Sequence, residues 1–148
     1  MGSLALDIPL AWTYNLLNCG LHDLRTDPQT EVEQVPLDAY RGNLSAIVWL
    51  VTGRDMRVVW VRTTPVDDER HNTRQTGFHR FNCDVVRYNE VADRIFGEAD
   101  IPLVDLYTYT HNLGGGVFCD HVHFVERVRE LQAAFIVGHL FALCDEQR

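Results

Sequence analysis

Within Cys119-Asp120-His121-Val122-His123-Phe124, an acid and two imidazoles stand within four positions, directly after the flexible run Leu113-Gly114-Gly115-Gly116. An Asp three residues ahead of a His can hold that imidazole in one tautomer. It can also stabilise the imidazolium formed when the ring accepts a proton. These are two of the three parts of a hydrolytic triad. A plainer use of the same residues is an Asp that caps a helix with a His packed beside it. A third is a metal site built from Asp120, His121 and His123, because a His-x-His pair on an extended segment can face one way. The glycine-rich lead-in and the lack of other closely spaced ligands weigh against the metal.

The elements that would position this stretch can be read in order. Trp12 to Asn18 has the pattern of a strand, ending in Cys19-Gly20-Leu21-His22-Asp23. A polar stretch with Pro28 and Pro36 reads as loop. Leu37, Tyr40, Leu44, Ile47, Val48 and Val51 recur at helical spacing, so an amphipathic helix is predicted over 37–51, closed by Gly53. Arg57 to Thr63 is β-prone and stops at Thr64-Pro65. A long polar loop is predicted from Val66 to Cys83, of a length that is often functional, with Asp67-Asp68-Glu69 at its solvated tip. Asp84 is placed to cap a second helix whose stripe is Val85, Tyr88, Ala92, Ile95 and Phe96. Ile101 to Tyr107 reads as a third strand with Pro102 tolerated near its start. Glu126 to Cys144 reads as the last helix, with Val128, Leu131, Phe135 and then Leu140 or Phe141 facing in.

Alternating strands and helices joined by right-handed crossovers give a parallel sheet covered on both faces. Sites in such sheets form outside the carboxyl ends of the strands. Six of the seven histidines (His22, His71, His79, His111, His121 and His123) fall in the segments at those ends, and only His139 does not. Core packing does not account for such clustering.

Composition narrows the classes. The chain has 148 residues, 46% hydrophobic and 23% charged, as expected for one globular domain. A net charge of −8 argues against nucleic acid as a partner. All basic residues are Arg, so lysine nucleophiles and Schiff bases are excluded. Cys19, Cys83, Cys119 and Cys144 are scattered without a Cys-x-x-Cys pair, which suits reduced thiols in a cytoplasmic protein. No apolar run is long enough to span a bilayer, and the N-terminus lacks the pattern of a signal peptide.

Five segments in order resemble the SGNH (GDSL-type) hydrolases along nearly the whole chain. Asn18-Cys19-Gly20-Leu21-His22-Asp23 is similar to the family's third block, Gly-x-Asn-Asp, in variant form. Thr63-Thr64-Pro65-Val66 resembles the strand end that follows, and Asp84 to Ala92 the next helix. Ile101 to Tyr107 resembles the last strand. Asp120-His121-Val122-His123-Phe124 fits the fifth block, Asp-x-x-His. The resemblance implies an α/β flavodoxin-like three-layer αβα sandwich. It makes His123 the general base and Asp120 its orienting acid. It assigns the oxyanion and substrate-binding positions to Gly20, His22 and Asp23. His22 stands where the family has an oxyanion-donating Asn, and a neutral imidazole donates only in one tautomer. The alternative for His22 is a loop histidine bonded to Asp23.

The chain departs from the family in lacking the Gly-Asp-Ser strand that carries the nucleophile. Its two serines are Ser3, with no strand before it, and Ser45, within the first helix. The 17 residues before Asn18 do not accommodate the expected strand, helix and second strand. The expectation is therefore a single SGNH-like domain over 1–148, truncated at its N-terminus, with the nucleophile unknown. Its first strand would lie at an open edge, so a homodimer or other association through that edge is expected. The function implied is ester hydrolysis by a Ser-His-Asp mechanism, with a small-molecule ester as substrate and no cofactor or metal. A non-catalytic remnant or binding module of the same fold is the alternative.

Overall fold

Val58-Val59-Trp60-Val61 is buried at every position, so this strand must be covered on both faces. The computed structural model describes residues 14–54 and 56–145. Trp12 and Thr13 of the expected first strand, and Ser3, lie outside them. The elements run β1 (Asn15–Leu17), α1 (Leu37–Thr52), β2 (Val58–Val61), α2 (Asp68–Arg74), α3 (Asn82–Glu98), β3 (Leu103–Val104), α4 (Leu106–His111) and α5 (Glu126–Asp145). The sheet is parallel with order β1-β2-β3. Leu16 pairs with Val59, and Val61 pairs with Val104. The expected sequential order is therefore present, with β1 at an edge among the described residues and Leu16 49% exposed.

The alternation of β2 divides the core into two layers. Trp60 points to α1 and α3, where it joins Tyr40, Leu44, Val85, Tyr88, Ala92 and Phe96. Its ring stacks on Phe96 with centroids 4.7 Å apart, a contact worth about 0.5–1.5 kcal/mol beyond burial. Val59 and Val61 point the other way, to Val104, Tyr109, Phe135, Ile136, Leu140 and Leu143. On α5 the choice between Leu140 and Phe141 falls to Leu140, since Phe141 is 68% exposed.

Three segments differ from the sequence expectation. The stretch after Val66 is not a structureless loop, because α2 forms within it. Asp67 caps that helix by accepting the Arg70 N–H at 3.0 Å, and Asp68 Oδ1 accepts the Asn82 N–H at 2.7 Å. The acidic run thus starts a helix, where carboxylates meet free N–H groups and the positive end of the dipole, and is no loop tip. Asp84 does not cap α3: the cap position is Phe81, and Asp84 sits in the first turn bonded to Arg87 at 2.8 Å. The third strand ends at Val104, because Asp105 turns the chain by accepting the Thr108 N–H at 3.0 Å and starting α4.

Arg62, just past β2, ties the rim together. It pairs with Asp93 of α3 and, at 2.8 Å, with Asp105 at the start of α4. Buried Asn89 accepts the Thr63 N–H and donates to the Thr63 carbonyl, both at 2.9 Å. These side chains satisfy backbone groups at the strand end that would otherwise be buried unpaired.

Candidate active site

The turn after β1 is braced by distant residues. Gly20 has φ +129°, and a Cβ there would stand 3.1 Å from Thr63 Oγ1 and 3.3 Å from the Tyr40 hydroxyl. Only glycine meets both conditions. The preceding carbonyl, of Cys19, accepts from the Tyr40 hydroxyl at 3.1 Å and from Thr63 Oγ1 at 3.0 Å. Asn18 Nδ2 donates to the Val61 carbonyl at 2.7 Å. These bonds deliver His22 to the carboxyl end of the sheet.

The loop before α5 is braced by itself. The Cys119 N–H donates to the His123 carbonyl at 2.8 Å, and Phe118 pairs with Phe124 in an isolated antiparallel bridge with stacked rings. Asp120 Oδ1 accepts the Val122 N–H at 2.7 Å and the His123 N–H at 2.6 Å, while Oδ2 meets His123 Nδ1 at 2.6 Å. The His123 and Val122 amides, then the His123 ring, hold the Asp120 carboxyl far below the usual carboxylate range. An ionised Asp120 requires the proton on His123 Nδ1, which leaves Nε2 with its lone pair. A longer-range bond reaches this loop from Arg70, whose Nη1 donates to the Asp120 carbonyl at 3.2 Å.

Both loops open onto one cleft of about 780 Å³, lined by His22, Asp120, His121 and His123 among others. Burial, followed by Arg25 and Arg80, lowers the His22 pKa and favours its neutral form. Asp23 does not line the cleft; its carbonyl accepts the Val35 N–H at 2.9 Å, and it serves the turn. The histidines predicted to share a rim divide. His71 is fully buried, its ring tilted at 43° against that of His121 with centroids 5.1 Å apart. His79 bonds with the Thr26 backbone, and His111 lines a neighbouring cavity with Phe118 and Phe124. His121 Nδ1 is 4.0 Å from Asp120, and no group of three or more metal-ligating side chains is arranged around an ion among the described residues. Ser45 is exposed on α1 and donates to the Arg41 carbonyl at 3.0 Å, away from the cleft.

Sequence reasoning missed Arg25, Phe78, Arg80 and Gln132, all of which line the cleft. The polar 66–83 stretch was a pointer to Phe78 and Arg80, but nothing local joins them to Arg25.

By sequence, neither a known family model nor a curated protein matches the chain. By structure, it is similar to a lipase/acylhydrolase from Enterococcus faecalis, with TM-score 0.59 and 20% identity over 72% of this chain and 52% of that one. It is similar to a GDSL-like lipase from Bacteroides thetaiotaomicron, with TM-score 0.67 and 16% identity over 86% and 62%. It is also similar to an acetyl-xylooligosaccharide esterase from Geobacillus stearothermophilus, with TM-score 0.68 and 15% identity over 86% and 58%. The chain thus spans between half and two thirds of the length of these structures. No helix among the described residues is long and apolar enough to cross a membrane. A three-stranded parallel sheet in sequential order between two helical layers, matched in these hydrolase structures, is the SGNH/GDSL-type fold.

Proposed function

We propose that the chain carries the histidine–aspartate part of an SGNH-type ester hydrolase, acting on a small-molecule ester. The observation that carries this is the 2.6 Å contact between His123 Nδ1 and Asp120 Oδ2, with the carboxylate held ionised by two backbone donors. His123 Nε2 takes the proton of a serine hydroxyl as its Oγ attacks the acyl carbon. The imidazolium, stabilised by Asp120, then gives that proton to the leaving alkoxide. Water hydrolyses the acyl-enzyme by the same relay. His22, which lines the same cleft as His123 and is favoured in its neutral form, would donate to the oxyanion from the Gly20 turn, a hydrogen bond that acts as charge develops. Asp23, which is not among the residues lining the cleft, would support the turn.

The nucleophile would come from a Gly-Asp-Ser strand beside β1, at the edge that β1 forms among the described residues. A second copy of the chain pairing at that edge is the competing use of the same surface. The placement of Ser45 on the outside of α1 favours a second reading, a binding module that keeps the rim without the nucleophile.

The test is hydrolysis of 4-nitrophenyl acetate by the chain alone and by the chain preceded by a strand ending in Gly-Asp-Ser. Turnover by the extended form only, lost on His123→Ala, is expected. Binding of an ester without turnover by either form would favour the module. Turnover by the unextended chain that a fluorophosphonate blocks by labelling Ser3 or Ser45 would overturn the assignment of the nucleophile.

A further inference from the structure

In a chain of net charge −8, the cleft beside His123 is lined by arginines that no carboxylate pairs with among the described residues. Arg25, Arg80 and Arg129 line it, and Asp120 is the one carboxylate among its lining residues. That carboxylate is already engaged by the Val122 and His123 amides and the His123 ring. Arg80 is 3% exposed, yet no carboxylate pairs with it among the described residues. Its Nε donates to the Leu21 carbonyl at 2.8 Å, one of the five N–H donors a guanidinium carries. Arg25 is half-buried, and its Nε is buried without a partner. Both guanidinium groups lie against the same Phe78 ring, 4.4 Å and 4.9 Å from its centroid.

Other arginines of the fold are treated differently. Arg62 is met by Asp93 and Asp105, and Arg87 by Asp84 and Glu33. Burial of a charge is costly unless it is paired, and two like charges on one ring add repulsion. The face of Phe78 offsets part of this, but it cannot accept the remaining N–H groups in the way an oxygen anion can. Burial, and secondarily Arg25, bring the Arg80 pKa down to about 10, so the group remains a cation at neutral pH. A fixed planar fork of this kind suits carboxylate or phosphate oxygens.

We infer that Arg25 and Arg80, fixed on Phe78, bind a carboxylate or phosphate group, so that the ester presented to His123 belongs to an anionic substrate. The ester part rests on the hydrolase reading above; the anion part does not. The test is therefore binding, with no turnover needed. Inorganic phosphate and succinate are titrated calorimetrically into the full chain, with side-chain nitrogen NMR of ¹⁵N-labelled arginine as a second readout. Saturable binding of either anion is expected, with the tighter of the two naming the oxygen chemistry. Arg25→Gln should weaken it about tenfold or more, the loss of a charge-assisted hydrogen bond. Arg41→Gln, on α1 and absent from the cleft lining, should leave it unchanged. Arg80→Gln is the stronger variant if it folds, and Arg25→Gln decides the matter if it does not. Equal affinity in Arg25→Gln and the unmodified chain, or no binding of either anion by both readouts, would overturn the inference.

Discussion

The two loops that meet at the cleft are held by opposite means. The turn at Gly20 is held by Tyr40, Val61 and Thr63, residues of α1 and of the β2 segment far along the chain. The loop at Asp120 is held mainly by its own neighbours, through Asp120 to Val122 and His123 and through Cys119 to His123. The first is tied to the core, and its centre is the part-buried Cys19 carbonyl with two distant donors. The second is an Asx-type turn on the surface, with the His123 side chain 72% exposed. On the proposed reading such an arrangement separates chemistry from stability: changes at Asp120 and His123 should have little effect on folding, whereas changes at the Gly20 turn should have a large one.

The largest effect that would test this separation is Asp120→Asn in the Gly-Asp-Ser-extended form. By analogy with serine proteases, loss of the anion that fixes the tautomer should cut kcat on the order of 10⁴-fold. The melting temperature should barely move. A large fall in melting temperature would mean that the surface turn is structural after all.

Gly20→Ala should do the reverse. Positive φ and a Cβ pressed against Thr63 and Tyr40 should cost about 1–3 kcal/mol of stability, read as a lower urea midpoint at constant slope. An unchanged midpoint would place the bracing elsewhere. Tyr40→Phe is milder, because the Cys19 carbonyl keeps its bond from Thr63. About 0.5–1.5 kcal/mol is expected in the same measurement.

The smallest effect concerns His71, where the surface loop touches the core through His121. Burial, then Arg80, lowers the His71 pKa; a hydrogen bond with the His121 backbone opposes this, and the nearby His121 and His79 rings add to the lowering. A histidine with a folded pKa below its unfolded value contributes stability that is present above the unfolded value. That stability is lost as pH falls through the folded value. Stability should therefore decline as pH drops from 7 through the ordinary histidine range and below it. His71→Phe should flatten that decline in urea melts at pH 7 and pH 5. An equal decline in both proteins would assign the titration to other groups.

Much of the fold was legible because its signals are periodic. The stripe Leu37, Tyr40, Leu44, Ile47 and Val48 marked α1, and the β-prone run from Arg57 to Thr63 marked the strand found at Val58–Val61. The misread segments are those where a polar side chain serves the backbone. Asp105 ends a strand that its neighbours would prolong, and Asp67 and Asp68 start a helix in a stretch with no apolar stripe. An Asp can cap, pair or face solvent, and its neighbours in sequence do not say which.

The sequence by itself determined the His123–Asp120 pair, since their bonds close within three residues and need only the turn that Asp120 itself forms. It also determined the order of the three strands and the three long helices α1, α3 and α5, because hydrophobic period and turn residues are local properties. Tertiary structure alone decided what faces that pair. His22 arrives through bonds from Tyr40 and Thr63, and Arg25 and Arg80 share Phe78 across a fold that brings distant loops to one rim. The physical reason is range: a turn chooses its own hydrogen bonds, but a cleft exists only once the sheet has brought its strand ends together.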